Sequence, residues 1–416
     1  MKFKYEHLNV FKSLIVLGSF IVYFVADGVS LSFGIFTREF IEYFNENDRE
    51  GLVFLTTGLL QAVPLFLSPL VCYLIEKFNC RPIALIGSTL VTLSFILTRY
   101  VVKNLLTLNL IVGIMLSCGL AMMYIPAYLI ISYHFDKKRA LATGIAVSGS
   151  GLGLFILSPI SEYLIYEFGW MDACFLFGAI SSHTFISACL FRPVEASKYE
   201  QEKNKTPTEK KTLIEEIKII CSNKQFLLVN FSYFILSFVI IAPYNFLPSH
   251  IKLKKFDDPN SISIAMIGLS TLIGQIVIGF VADYCKSFTW LVYSVCIILS
   301  GVITLVLPFL NNINYVFVYS FLFGFLTSVN YVLQSGLVIE SLGIANLTLA
   351  FGFLQFSQGF SILMGSPMLG RLKDLTGDYD KSFYVSGFLM LFSGVALCLW
   401  PLLKGKKTKK SQSFFG

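Results

Sequence analysis

The feature that most restricts this chain is a series of long apolar runs separated by short polar segments. A run of about 20 apolar residues spans a hydrocarbon core of about 30 Å. In that core the backbone must satisfy its own hydrogen bonds, so each run should form a helix. The sequence therefore predicts an all-α membrane protein with twelve transmembrane helices, at residues 13–37, 51–75, 82–99, 105–132, 140–165, 170–191, 226–249, 262–285, 289–310, 313–339, 347–370 and 382–402.

The composition agrees with a chain that lipid must solvate. Only 14% of the residues are charged and 55% are hydrophobic, whereas a soluble domain carries about a quarter charged residues. The net charge of +7 does not indicate a nucleic-acid partner, because the basic residues fall in predicted loops and tails. No cysteine falls in a predicted external loop, so a disulfide framework is not expected.

The basic residues also predict the orientation in the bilayer. Of the 32 Lys and Arg residues, 22 lie on the side of the N-terminus and 10 on the other side. Cytoplasmic loops carry the excess of Lys and Arg, so both termini should be cytosolic. The predicted organisation is an N-tail, a six-helix half, a linker, a second half and a basic C-tail, at residues 1–12, 13–192, 193–225, 226–402 and 403–416.

The linker contains one candidate structural element. Thr212 and Glu215 have the spacing of a capping box, and Leu213, Ile217 and Ile220 then share one helical face. The pattern is typical of a short amphipathic helix on the inner membrane surface. A solvated linker with a helical tail is an equally good interpretation.

An internal repeat relates the two halves. When the chain is shifted by 208 residues, the fifth predicted helix falls on the eleventh without gaps. The matching residues are mainly small or Pro, which have backbone reasons to recur. They include Gly144 with Gly352, Gly151 with Gly359, and Ser158-Pro159 with Ser366-Pro367. A parallel duplication of six helices with an inner linker is the major facilitator architecture.

One segment carries a family resemblance. Residues 133–150 read YHFDKKRALATGIAVSGS. This stretch resembles the helix 5 signature of the monocarboxylate transporter family, of which the chain looks like a divergent member. Shorter matches along the chain lie at residues 68–69, 77–81, 168–170, 192–193, 243–248, 365–367, 370–374 and 376–379.

The chain departs from that family at positions that matter for its chemistry. The Asp-Gly-Gly-Trp-Gly-Trp signature before the first helix is absent. Proton-coupled lactate carriers of the family have an Asp and an Arg in helix 8, and the matching positions here are Thr271 and Gln275. The usual helix 5 Asn is Thr143. The resemblance therefore implies a carrier, but not necessarily a lactate and proton symporter.

The predicted helix interiors contain no Lys or Arg. A carboxylate at the membrane midplane would need a buried cation or helix N-termini to offset its charge. The expected substrate is therefore neutral, zwitterionic or aromatic. The one deep acid is Asp27, beside Gly28 in the first helix. It is a candidate site for a proton or for the cationic end of a substrate, although it could also bond Ser or backbone groups where that helix is broken.

Several polar residues lie inside predicted helices. Such side chains can serve only as contacts between helices, contributing about 0.6 kcal/mol each, and we expect this role for about half of them. The candidates for substrate binding or coupling, beside Asp27, are Thr143, Tyr244, Asn245, Thr271, Gln275, Asn330 and Gln334. Further members of this polar belt are Tyr331, Gln355 and Gln358, and a lone His183 could relay protons or simply bond a neighbouring helix.

Charged residues at the predicted cytosolic face could form a gate that pairs in one conformational state. Their alternative role is topology alone. The candidates are Glu76, Arg81, Lys137, Lys138, Arg139 and Asp283.

The leading functional prediction is a secondary carrier in the plasma membrane that works by alternating access. Its partners would be a small organic solute, protons as a candidate co-substrate, and the single-span immunoglobulin-like accessory protein that the family resemblance implies. Two alternatives remain, a proton-coupled monocarboxylate symporter and a membrane sensor that has lost transport. The sequence has no phosphate-binding loop or metal-ligand spacing, so neither an enzyme nor a cofactor is expected.

Overall fold

A computed structural model of the protein describes residues 2–44, 50–135, 138–192, 213–256, 258, 262–285 and 288–403. The described regular structure is helical throughout, which confirms the predicted class. Eleven of the described helices are long and apolar enough to cross a membrane, and the total is twelve when a further pair of helices, bent by 45°, is taken as one span. The chain is thus a multi-pass membrane protein.

The spans are numbered α1 to α12 in chain order, and several consist of two helices in series. The N-terminal half contains α1 (Lys2–Ser32 with Gly34–Phe44), α2 (Glu50–Phe66 with Ser68–Phe78), α3 (Cys80–Val101), α4 (Leu105–Leu108, a π-helical Asn109–Leu116, and Ser117–His134), α5 (Arg139–Phe168) and α6 (Trp170–Ser182 with Thr184–Leu190). The C-terminal half contains α7 (Lys224–Val239 with Ala242–Leu253), α8 (Ile262–Tyr284), α9 (Thr289–Val306), α10 (Ile313–Thr327 with Val329–Leu342), α11 (Leu347–Thr376) and α12 (Asp380–Leu397 with Trp400–Leu403).

The structure gives bounds for the first helix and for the linker helix that differ in detail from the predictions. The first membrane span covers Val10–Phe36, close to the predicted 13–37, and its helix begins earlier, at Lys2. The linker contains a helix at Leu213–Ser222, while Thr212 lies outside the described residues. Asn223 ends this helix and donates a hydrogen bond to the Ser341 carbonyl, at 2.9 Å. The linker helix is therefore tied to the end of α10, and its position on a membrane surface stays a prediction.

Small residues on α5 allow it to pack closely on both sides. Gly149 and Gly153 lie against α1, where a Cβ at either position would overlap a backbone carbonyl. Gly144 and Gly151 lie against α8 of the other half, and a Cβ at Gly151 would come within 2.7 Å of the Gly268 carbonyl oxygen. Helix α5 is consequently held between its own half and the opposite half by backbone contact.

Helix α11 repeats this arrangement in the second half. Gly365 packs on the backbone of α7, and Gly352 and Gly359 pack on α2 of the first half. The residues that match in the 208-residue repeat, Gly144 with Gly352 and Gly151 with Gly359, thus make the contacts between halves on both sides. The structure brings α5 against α8, and α11 against α2, which we call the α5–α8 seam and the α2–α11 seam.

Candidate functional site: a cavity between the halves

A cavity of about 240 Å³ lies between the two halves. It is lined by α1, α2, α4 and α5 from the first half and by α7, α8, α10 and α11 from the second. Six of the eight residues predicted from the sequence for binding or coupling line this cavity: Asp27, Tyr244, Asn245, Thr271, Asn330 and Gln334. Tyr331, Gln355 and Gln358 of the predicted polar belt line it as well.

The Asp27 carboxylate is the only acidic group among the described residues that line the cavity. Its Oδ2 atom is buried and has no hydrogen-bond partner among the described residues. The next residue, Gly28, packs on the Gly153 backbone, where a Cβ would come within 2.9 Å of the Gly153 Cα. Close approach of α1 to α5 thus fixes the acid at the cavity wall. No Lys, Arg or His occurs among the described lining residues to neutralise it.

Aromatic hydroxyls surround this acid. Three tyrosines line the same cavity: Tyr124, Tyr244 and Tyr331. Each is near enough to Asp27 for an electrostatic interaction between the two side chains. The Tyr244 side chain lies close to the hydroxyls of Thr271 on α8 and Thr327 on α10. Tyr124 was not identified from the sequence, where a Tyr in an apolar run looks like any aromatic core residue. The only available signal was its position in a helix interior, two residues before Pro126.

Four amide side chains form the second polar part of the cavity. The Gln334 amide nitrogen donates to the Gln355 amide oxygen at 3.0 Å. The Gln355 amide in turn lies close to the Tyr124 hydroxyl. One turn of α11 further on, the Gln358 amide nitrogen is buried with no acceptor among the described residues, and the Asn330 amide oxygen on α10 is buried with no donor among them. The cavity therefore offers both a free donor and free acceptors.

Two predicted coupling residues lie outside the cavity lining. Thr143 and Gln275 are both fully buried. The Gln275 amide nitrogen donates to the Ser150 hydroxyl at 3.2 Å, which joins α8 to α5 across the α5–α8 seam. Gly144, the residue after Thr143, packs on the Gln275 backbone. The structure thus places the Gln275 side chain in a contact between halves, with Thr143 on α5 beside that contact.

His183 also lies away from the cavity. It stands at the break between the two helices of α6, and its side chain is exposed. Its Nδ1 atom lies 3.2 Å from the carbonyl oxygens of Ala179 and Ile180 in its own span. The alternative that the sequence left open was a bond to a neighbouring helix; the contact observed is instead local, within α6.

At one end of the bundle, contacts between halves close the cavity. We call this the inner end; it carries the α4–α5 connection and is predicted to face the cytosol. The Tyr128 hydroxyl donates to the Tyr331 carbonyl and accepts from the Ser335 N–H, both at 3.0 Å. Its ring stacks on Phe351 with a centroid separation of 4.6 Å. Tyr128 is fully buried, and these contacts join α4 to α10 and α11 at the inner end.

A second contact at the inner end involves the start of α5. The Asp283 carboxylate of α8 accepts hydrogen bonds from the backbone N–H groups of Ala140, at 3.3 Å, and Leu141, at 2.8 Å. The N-cap residue of α5 is Lys138, which has no side-chain acceptor to offer. An acid from the opposite half therefore occupies the place of an N-cap side chain, where it also meets the positive end of the helix dipole.

The other predicted gating residues lie at the same end with different contacts. The Arg139 guanidinium donates through Nε to the Phe135 carbonyl at 2.8 Å. Glu76 is half-buried near the end of α2, and Arg81 is half-buried in the first turn of α3. Lys138 is exposed and has a left-handed backbone, with φ 60°. Lys137 lies outside the described residues.

Comparisons with known proteins identify the family. The Major Facilitator Superfamily model matches residues 15–291 and 258–415. Monocarboxylate transporter 12 of Xenopus laevis is 26% identical, over 94% of this chain and 88% of its own length. Monocarboxylate transporter 13 of Bos taurus is 27% identical, over 93% and 88%.

A solved structure has the same fold. The crystal structure of the human organic anion transporter MFSD10 (TETRAN) superposes with a TM-score of 0.73 at 14% identity, covering 93% of this chain and 99% of the other. The family resemblance inferred from residues 133–150 is confirmed by the relatives. The chain belongs to the Major Facilitator Superfamily, as a membrane transporter related to proteins named monocarboxylate transporters.

Proposed function

We propose that the chain is a secondary carrier that moves a small organic solute by alternating access. The observation that carries this proposal is the cavity, because residues of both halves line it and contacts between halves close one of its ends. Rocking of the two halves would separate the inner contacts and expose the same cavity to the other side. No hydrolytic motor is required, since a gradient of solute or protons drives such a cycle.

The substrate is proposed to be neutral, zwitterionic or aromatic rather than lactate. A small carboxylate would enter a cavity whose described lining has no basic side chain and already contains Asp27. Two carboxylates close together in a low dielectric repel each other, and nothing in the described lining offsets that cost. The tyrosines and amides instead provide an aromatic surface with uncharged hydrogen-bonding groups.

The proposed setting is the plasma membrane, with both termini in the cytosol. The excess of Lys and Arg on the side of the N-terminus supports this orientation. In that orientation the contacts at the inner end would lie on the cytosolic side. Protons and an immunoglobulin-like accessory protein remain proposed partners on the family resemblance alone.

Transport by purified protein in proteoliposomes tests this proposal. We expect uptake of at least one neutral, zwitterionic or aromatic solute above empty liposomes, with lactate and pyruvate near the background. To test alternating access, Ala140→Cys and Asp283→Cys are combined in a background without the native cysteines and joined by a short thiol crosslinker. These positions meet at the inner end. Crosslinking should reduce uptake at least tenfold.

Each single-cysteine variant is a control. Its uptake rate should be the same with and without the crosslinker. Uptake that is unchanged by the crosslink would contradict alternating access. Saturable uptake of lactate as fast as that of any other solute would contradict the proposed substrate class. If no solute enters above background, the sensor interpretation is favoured and the carrier proposal fails.

A further inference from the structure

The cavity has an excess of charge of one sign. Asp27 brings a carboxylate to its wall, and the described lining contains no basic residue. A buried carboxylate without a partner is costly, because desolvation removes the water that would stabilise it. Such a group is retained where something else supplies the missing positive charge or proton. The cavity itself is where that partner would be found.

The unpaired hydrogen-bonding groups of the cavity are also arranged by type, with acceptors on α1 and α10 and a donor on α11. Two buried acceptor atoms, Asp27 Oδ2 and Asn330 Oδ1, have no donor among the described residues. One buried donor, the Gln358 amide nitrogen, has no acceptor there. A ligand that satisfies all three would present donors toward α1 and α10 and an acceptor toward α11. Leaving such buried groups unpaired destabilises the empty cavity, so a complementary ligand gains binding free energy by pairing them.

The aromatic residues suit a cation in particular. Tyr124, Tyr244 and Tyr331 come from three different spans and lie within electrostatic range of Asp27. The faces of aromatic rings attract ammonium groups, more strongly where water is excluded. A carboxylate combined with tyrosines is thus a recognised chemistry for an amine in its charged form. An anionic ligand would find no basic side chain among the described lining residues, and only one unpaired hydrogen-bond donor.

We propose that Asp27 and these three tyrosines form the binding site for the ammonium group of a small amine whose other end carries a hydrogen-bond acceptor. Asp27 Oδ2 and Asn330 Oδ1 accept hydrogen bonds from the ammonium group. Gln358 donates to the acceptor at the far end. This inference deepens the proposed function, on which it rests, by naming the substrate class of the same cavity.

Three probes with one skeleton test the inference: tyramine, tyrosol and 4-hydroxyphenylacetate. They share a phenol and a two-carbon frame and differ in carrying an ammonium, a hydroxyl or a carboxylate group. Binding to the purified full chain in detergent is measured by calorimetry at neutral pH. We expect tyramine to bind at least tenfold more tightly than tyrosol, and 4-hydroxyphenylacetate to bind more weakly than both.

The Asp27→Asn variant then locates the charge. It should weaken tyramine binding at least tenfold, because Asn removes the negative charge that pairs with the ammonium group. Tyrosol has no charge at that position, so its affinity should stay within about twofold of the wild-type value. Glu162→Gln is the matched control, because Glu162 is an exposed acid on α5 away from the lining. This control should keep the wild-type order of all three affinities. The wild-type comparison needs no variant, so it stands even if Asp27→Asn does not fold.

Equal affinity for the three probes, preference for the carboxylate, or no tyramine binding at millimolar concentration would overturn the inference. So would a folded Asp27→Asn protein that keeps the preference for tyramine, because the charge would then lie elsewhere. These outcomes are distinct from failure of the carrier proposal. Binding in detergent needs no transport, and a protein that transports a solute in proteoliposomes without this charge preference loses only the ammonium site.

Discussion

The two seams that join the halves are related by the internal repeat, but they are built differently. In the α5–α8 seam, both spans are single unbroken helices, Arg139–Phe168 and Ile262–Tyr284. Glycines on both sides bring the backbones together, with Gly144 and Gly151 on α5 and Gly268 and Gly279 on α8. Backbone meets backbone along this seam, so neither helix can adjust by moving a side chain.

The α2–α11 seam has its glycines on α11 alone. Gly352 lies against Pro69 and Cys72, and Gly359 lies against Leu65. These contacts are on either side of the 45° bend between Leu55–Phe66 and Ser68–Phe78 of α2. A Pro at the start of the second segment cannot donate a backbone hydrogen bond, which favours the bend.

The comparison teaches that a repeat can conserve one partner of a contact and change the other. The glycines of α5 recur in α11, whereas the straight, glycine-bearing α8 is matched by a bent α2 whose contacts are made by Pro69, Cys72 and Leu65. We therefore expect the α5–α8 seam to tolerate less change than the α2–α11 seam. Three further predictions test this difference.

The largest effect is expected from a methyl group at Gly144. A Cβ there would overlap the Gln275 carbonyl oxygen, and only a separation of α5 from α8 could relieve it. At the repeat-related Gly352 the nearest atom is the Pro69 Cα at 3.0 Å, followed by the Cys72 side chain. Overpacking costs about 1–3 kcal/mol, and we expect Gly144→Ala at the top of this range and Gly352→Ala near its bottom. The thermal unfolding transition in detergent measures both.

Gly58→Ala is the control for these variants, because a Cβ at Gly58 meets nothing within 4 Å. It should leave the transition unchanged or raise it slightly, since Ala favours a helix by about 1 kcal/mol over Gly. If Gly352→Ala destabilises the protein as much as Gly144→Ala does, the proposed difference between the seams is wrong.

An intermediate effect is expected from removing the cap that crosses the α5–α8 seam. Asp283→Ala leaves the Ala140 and Leu141 N–H groups without their acceptor. Loss of a cap costs about 1 kcal/mol. Because this cap joins the two halves, the cost falls on the closed inner end, and the population open at that end should rise about fivefold. The rate at which a Ser335→Cys thiol is alkylated, in a background without native cysteines, reports that opening.

Asp258→Ala is the matched control. Asp258 also accepts a backbone hydrogen bond at a helix start, from the Ser263 N–H at 3.2 Å, but it serves the span that follows it in the chain. Its removal should lower stability by a similar amount without changing the alkylation rate at position 335. Equal acceleration by both variants would show that the Asp283 contact is a cap like any other rather than a contact that holds the inner end closed.

Much of the fold could be predicted from the sequence because lipid imposes a simple rule. Long apolar runs predicted the helical class and twelve spans, and the repeat of Gly144 with Gly352 predicted two related halves. The first span was predicted from residue 13 and extends over Val10–Phe36 in the structure, whereas the helix that contains it begins at Lys2. The residues before position 13 are polar, and hydropathy measures the span rather than the helix that continues beyond it.

The cavity could be predicted only in part. Polar residues in apolar runs are costly, so Asp27, Asn330 and Gln334 were visible from sequence. The same reasoning could not separate a residue of the cavity from one of a seam, and Gln275 lies in the seam. Tyr124 was missed because an aromatic ring is as common in a core as at a binding site. How deep a side chain lies in the bundle depends on how its helix crosses the neighbouring helices. The periodicity of a single helix contains no information about those crossings.

The smallest effect is expected from Ser68→Ala in the α2–α11 seam. The Ser68 hydroxyl donates to the Gly352 carbonyl at 2.8 Å, and both groups are buried where α2 bends. A hydrogen bond between membrane helices contributes about 0.6 kcal/mol on average, so the unfolding transition should fall by only a degree or two. Ser94→Ala removes a hydroxyl that bonds the Leu90 carbonyl within α3, at 2.6 Å, and should change it less. A loss at Ser68 larger than that at Gly144 would mean that the bent seam, not the straight one, holds the halves together.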